Sequence, residues 1–253
     1  MAARPAGRAL DADLADFRRR NPWLEDYLPF RVIKKAESFR SWEDWGPRYA
    51  DPQVLAAFLA DHDDRVRLHL AAQMLLDRQL QEARAYSSAN GVLLKGDIPI
   101  LVGRDSADVW RLPGIFDLGT SAGAPPDMYS ADGQNWGPPT YRWDVLHATD
   151  CAWWRARLRH AQRHFDLYRI DHVVGFFRIW TIPAGKQGGK EGAFVPADEA
   201  VWGEHGRRIL SMMLDAGVPI IQALSIVLSI QRARKICAGD TGRACTRTRS
   251  RLR

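Results

Sequence analysis

The sequence predicts an α/β fold of the barrel-enzyme type. Short apolar, β-branched stretches alternate with helical ones in the order strand, helix, strand, helix, strand, the pattern of a parallel sheet with crossover helices. Two of these strands end in an aspartate, and in (β/α) barrels the catalytic groups stand at the C-terminal ends of the strands. The 253 residues, 46% of them hydrophobic, suffice for a sizeable core.

Residues 1–20 are rich in Ala, Arg and Asp and place Leu10, Leu14 and Phe17 at helical spacing, which predicts a short amphipathic helix. Residues 21–50 set Trp23, Tyr27 and Phe30 among Pro22 and Pro29, followed by Trp42 and Trp45. Residues 52–90 form the clearest helical stretch, with Leu55, Phe58, Leu59, Val66, Leu70, Met74 and Leu80 apolar and charges between, closed by Asn90-Gly91. Val92 to Val102 reads as a buried strand carrying Asp97, and Asp105 to Leu112 as a short helix. Residues 113–142 read as a loop, and one of that length inside a compact domain is usually functional or disordered; Tyr129, Trp136 and Tyr141 favour function. Thr149-Asp150 predicts the N-cap of a helix reaching about Phe165. Leu167 to Asp171 is a second strand, Glu199 to Ala216 a helix, and Val218 to Ile221 a third strand. The Gly185 to Glu191 loop lacks the phosphate-loop pattern, because Ala184 and Glu191 stand where Gly and Ser or Thr are needed, so a flexible surface loop is expected.

Charge and composition remove several classes of function. The net charge is +6, but residues 222–253 hold seven Arg and one Lys against Asp240, leaving the other 221 residues at −1. The basic character belongs to the tail, and no nucleic-acid partner is expected. Cys151, Cys237 and Cys245 have neither the number for a disulfide scaffold nor the spacing for a metal site. His160 and His164 are four apart on a helix, but Arg155, Arg157, Arg159 and Arg163 share that helix, so a solvated face and no metal are expected. The longest nearly apolar run, Val218 to Ile230, has 13 residues, too few to span a bilayer. With no signal-like N-terminus, no membrane association and a cytoplasmic location are expected. The ten tryptophans suit core packing or stacking on sugar rings, and composition leaves both open.

Arg169 and Asp171 lie two residues apart on a strand, so their side chains share a face. An arginine beside a carboxylate favours its charged form and fixes its orientation, which suits a nucleophile for an anomeric carbon. A purely structural ion pair at a strand end fits the same spacing.

Longer stretches say more. GDIPILVGRDSADVW at 96–110, GAPPDMYSADGQNWGPPTYRWDVL at 123–146, YRIDHVVGFFRIWTIPA at 168–184 and NPWLEDYLPFRVIK at 21–34 together resemble the amylomaltases, or 4-α-glucanotransferases, collinearly over about residues 20–221. The resemblance implies a partial (β/α)8 TIM barrel with an inserted helical subdomain. It implies Asp171 as catalytic nucleophile, Arg169 as its support, and Asp97 as a contact to the sugar at the cleaved bond. It also implies His172 close to the substrate, with Asp127, Gln134 and Trp136 lining a groove for α-1,4-glucans. No cofactor is implied. Met128-Tyr129 and Pro138 depart from the family's usual residues in that loop.

The resemblance stops at Ile221. The family's acid/base glutamate follows the strand matching Val218–Ile221, and here Gln222-Ala223-Leu224-Ser225 stand in its place. The expected organisation is an N-terminal segment at 1–20, a portion of a glucanotransferase barrel at 21–221, and an Arg-rich tail at 222–253 ascribed to a frameshift or truncation. A glucanotransferase is expected, with this chain itself nearly inactive and folding poorly alone. The alternative is an α-glucan-binding relic without turnover.

Overall fold

A computed structural model describes residues 6–217. The third predicted strand, 218–221, and the Arg-rich tail lie outside the described residues.

Residues 6–89 are largely helical. Helices α1 (Ala6–Arg20), α2 (Leu24–Ala36), α3 (Pro52–Asp61) and α4 (Asp63–Ala89) pack on one another. Leu14 and Phe17 of α1, Leu24, Leu28 and Val32 of α2, and Val66, Leu70 and Met74 of α4 form one core. Each fully buried side chain of this size contributes about 1.5–3 kcal/mol. A second cluster joins Phe30 and Ile33 to Trp45 and Tyr49. The helical stretch expected over 52–90 is present as two helices, α3 and α4. Phe58 and His62 stack at 4.2 Å, and His62 adopts non-helical dihedrals where α3 ends, so the chain turns before α4 begins. Asn90 caps α4, and Gly91 follows at φ 72, a left-handed turn suited to glycine.

Strand β1 (Lys95–Ile98) pairs in parallel with β6 (Leu167–Ile170), the strand–crossover–strand unit that the sequence predicts. Short helices α5 (Ala107–Arg111), α6 (Trp143–Ala148) and α7 (Ala152–Gln162) lie in the crossover, and α8 (Trp202–Asp215) follows β6. Trp154 and Leu158 of α7 and Ile209 and Met213 of α8 cover Ile98, Tyr168 and Ile170. Thr149-Asp150 does not cap α7 as expected. The Thr149 hydroxyl donates back to the Leu146 carbonyl at the end of α6, and left-handed Cys151 opens α7 without a side-chain cap.

Arg84 of α4 locks the helical layer to the strands. It donates to the Asp166 carboxylate (2.8 Å) and the Gln162 carbonyl (2.7 Å), while Asp166 also accepts the Leu94 N–H (3.0 Å). The Leu94 N–H and Arg84 together hold the Asp166 carboxyl below its usual range. His164 is not on a solvated face as expected. It is 6% exposed and meets Asp77 of α4 at 2.8 Å, because α7 packs beside α4 at that point.

The stretch expected as a loop over 113–142 is largely folded. It holds β2 (Phe116–Asp117), β3 (Thr120–Ala124), β4 (Gln134–Asn135) and β5 (Thr140–Tyr141). Strands β3 and β4 join β7 (Ile179–Pro183) and β8 (Ala193–Val195) in an antiparallel sheet of order β4-β3-β7-β8, while β2 pairs β5. The turn between β7 and β8 is packed rather than loose: Gly189 accepts the Trp180 indole N–H (2.8 Å) and donates to the Asp132 carbonyl (2.8 Å). A Cβ on Gly123 would run into the Gln134 carbonyl oxygen and Ile182 Cδ1, so close approach of β4 to β3 requires glycine there. Gly123→Ala is expected to lower stability by about 1–3 kcal/mol, the usual cost of overpacking. Urea unfolding reads this, and an unchanged midpoint would contradict the packing described.

Candidate active site

In β1 and β6 the buried positions are Gly96, Ile98, Tyr168 and Ile170, so alternation sends Asp97 and Arg169 to the opposite, open face. Register places Asp97 directly beside Arg169 on the neighbouring strand. Arg169 spans two carboxylates: Nη1 donates to Asp97 Oδ2 (2.7 Å) and Nη2 to Asp171 Oδ1 (2.9 Å). The side chains of Asp97 and Asp171 remain 52% and 48% exposed, so both are accessible from solvent. The sequence placed Arg169 beside Asp171 alone; its bond to Asp97 comes from strand register, which no linear spacing reveals.

Asp171 follows the last residue of β6, and His172 comes next at left-handed dihedrals (φ 50, ψ 41). A non-glycine residue there is uncommon and often marks a functional position. Its ring meets the Trp136 ring edge to face at 4.9 Å. Gly175 keeps that space open, since a Cβ on it would lie 3.0 Å from His172 Cδ2 and 2.7 Å from Ile100 Cδ1. Burial pushes the His172 imidazole below its usual range, and Asp171 pulls the other way.

Trp136 is 37% exposed and is the one exposed member of the ten tryptophans; the others are buried or half-buried in packing. The Trp136 indole donates to Gln134 Oε1 (2.9 Å), and its backbone N–H to the Ala122 carbonyl (2.9 Å). Asn135 fixes this strand, a role the sequence reading did not assign. Its Oδ1 accepts from Ser121 Oγ (2.9 Å) and the Gly137 N–H (2.9 Å), and its Nδ2 donates to the Lys186 carbonyl (2.9 Å). Asn135 stands inside the GQNW segment, so the residue was in view, but its partners were not.

The structure therefore links Asp97, Arg169 and Asp171 in one set, and His172, Trp136 and Gln134 in an adjoining one that follows directly from Asp171. Asp127 is bonded to neither. Its Oδ1 accepts the N–H groups of Tyr129 (2.8 Å) and Ser130 (2.7 Å), which shapes the turn that exposes Met128 and Tyr129. Among the described residues, no group of three or more His, Cys, Asp or Glu is arranged to hold a metal ion, and no helix is long and apolar enough to cross a membrane.

These features define a mixed α/β protein with a carboxylate site at the ends of parallel strands, walled by an exposed tryptophan. The chain matches the 4-alpha-glucanotransferase family over residues 2–220, and it belongs to that family. It is 38% identical over 207 residues to the 4-alpha-glucanotransferase of Chlamydia pneumoniae, covering 81% of this chain and 39% of that protein. With the Thermus thermophilus 4-alpha-glucanotransferase it shares 39% identity over 192 residues, 72% of this chain and 38% of the relative. The chain thus spans about two fifths of the length of these relatives. Its fold is similar to the amylomaltase from Streptococcus agalactiae in complex with acarbose, with a TM-score of 0.76 and 29% identity over 89% of this chain and 46% of that one.

Besides His172, burial lowers the imidazole pKa of His69, His147, His160 and His205. Unfolding returns these groups to about 6.5, so the unfolded state binds more protons just below that pH. Stability is therefore full above the unfolded value and falls as pH drops through the lowered folded values. The melting temperature is expected to decline between pH 7 and pH 5, with proton uptake on unfolding measured by calorimetry in buffers of different ionisation enthalpy. A flat or rising profile would contradict the burial of these rings.

Proposed function

We propose that the chain carries the nucleophile half of a retaining 4-α-glucanotransferase site acting on α-1,4-glucans, with Asp171 as the nucleophile. The observation that carries this reading is the fork of Arg169 across Asp97 and Asp171 on an open strand face. A guanidinium offers donors only, so it presents both carboxylates as acceptors and fixes their orientation. That suits Asp171 Oδ attacking an anomeric carbon, forming a C1–O bond as the glycosidic C1–O4 bond breaks. Asp97 is placed to accept from sugar hydroxyls at the same bond. Trp136 offers a face for a sugar ring, and His172 an imidazole whose pKa burial lowers. Family membership and the acarbose held by the similar streptococcal amylomaltase support a glucan as the ligand.

Retaining transfer needs a second carboxyl about 5–5.5 Å from the first, to protonate the departing O4 and then take the proton of the incoming 4-OH. Asp97 meets Arg169 as an acceptor, which is the wrong posture for an acid. After Val218–Ile221 the sequence reads Gln222-Ala223-Leu224-Ser225, with no carboxyl. General acid–base assistance contributes about 10²–10⁴-fold, so disproportionation of maltotriose by this chain should be nearly absent. The same residues leave glucan binding without turnover as the second reading.

A donor that leaves without protonation separates the two. In α-maltotriosyl fluoride the C1–F bond breaks as fluoride departs with the electron pair, so no acid is required. The expected result is a stable adduct of one maltotriosyl group on Asp171, seen by peptide mass spectrometry and absent in Asp171→Asn. No adduct, or equal fluoride release by Asp171→Asn, would overturn the assignment of Asp171.

A further inference from the structure

A cavity of about 310 Å³ opens between the C-terminal half of α2 and the start of α4. Arg31, Lys35 and Arg65 line it together with His62 and His69, and among the described residues no acidic one does. Arg31 and Lys35 form no ion pair within 4 Å among the described residues, and Arg65 meets only its neighbour Asp64, at 3.4 Å. Most other cations of the helical layer are matched: Arg18 with Glu25, Arg78 with Asp13 and Arg84 with Asp166. The cavity thus concentrates positive charge that carboxylates among the described residues leave largely unanswered, with Lys35 Nζ lying 5.2 Å over the Phe39 ring.

The remaining wall is apolar. Val32 is buried at the base, while Leu68 and Phe39 are each 58% exposed at the cavity. Phe39 is held there by unusual backbone: Ser38 and Phe39 follow α2 at φ 53 and 62. Two consecutive left-handed residues are costly, more so for an aromatic side chain, and such strain gathers at ligand sites. A volume near 300 Å³ with convergent polar groups on an apolar wall is in the range of small-molecule pockets.

We propose that this cavity binds a phosphate monoester of a ring-bearing small molecule. Arg31, Lys35 and Arg65 take the phosphate, with Arg31 and Arg65 able to offer forked donors. Phe39 and Leu68 cover the ring, which is a nucleobase or a sugar. His69 reports on occupancy, because burial together with Arg31 and Arg65 depresses its imidazole and a phosphate dianion offsets the two cations. Among the described residues the cavity is built by the helical layer and shares no residue with the carboxylate site.

The test is isothermal titration of the full 253-residue chain with AMP and with glucose 1-phosphate. Adenosine, glucose and inorganic phosphate are the controls, and the His69 ring signal is followed by NMR. The expected result is saturable binding of at least one ester, with adenosine and glucose silent, inorganic phosphate weaker, and the His69 titration midpoint raised. Whichever ester binds identifies the ring. Arg31 and Lys35 are exposed, so R31E/K35E tests the phosphate contacts without disturbing the core, and a loss of at least tenfold is expected. F39A is expected to weaken the ester and spare inorganic phosphate. Absence of binding by both esters, undiminished binding by R31E/K35E, or inorganic phosphate binding as tightly as the esters would overturn the proposal.

Discussion

The site depends on one guanidinium joining two strands. Parallel pairing of β1 with β6 puts Asp97 beside Arg169, and two-residue alternation puts Asp171 on the same side of β6. The fork then reaches both carboxylates with normal hydrogen-bond lengths. All three groups are part-exposed, so the contribution to stability is of the order of a surface ion pair, about 0–1 kcal/mol. Its consequence is geometric. Two anions that would otherwise repel are held at fixed orientation on an accessible face, which is useful for chemistry and nearly neutral for folding.

Around that bridge the scaffold is arranged to limit what can move. His172 takes a left-handed turn directly after Asp171, so its ring position is coupled to the end of β6. Trp136 reaches the same place from β4, which Asn135 ties to β3 and to the β7–β8 turn. Gly123 lets β4 approach, and Gly175 leaves room for the imidazole. The contacts inside the site run between side chains: Arg169 holds Asp97 and Asp171, and Trp136 holds Gln134 and the edge of His172.

Local pattern made part of this legible in the sequence. The β1–crossover–β6 unit, α5, α8 and the shared face of Arg169 and Asp171 follow from alternation and helical spacing. Family resemblance supplied the residues of the site. What stayed hidden is non-local. Pro29 obscured α2, which forms because Leu24, Leu28 and Val32 bury one stripe against α1 and α4, while Phe30 and Ile33 pack on Trp45 and Tyr49. Strands β2 to β5 are two to five residues each, too short for periodicity to register, and they exist through pairing with β7 and with one another. His164 looked solvated because its partner Asp77 lies 87 residues away. The turn that Asp127 shapes through the N–H groups of Tyr129 and Ser130 was also not legible.

The claim that the bridge orients rather than stabilises is tested most directly by Arg169→Lys. A lysine keeps the charge but cannot donate to two carboxylates through a rigid fork. The account predicts an unfolding free energy within about 1 kcal/mol of the parent. It also predicts that the rate of glycosyl trapping from α-maltotriosyl fluoride falls by about 10²-fold, as expected for a misplaced reacting group. Unchanged trapping in Arg169→Lys would contradict the role given to the fork.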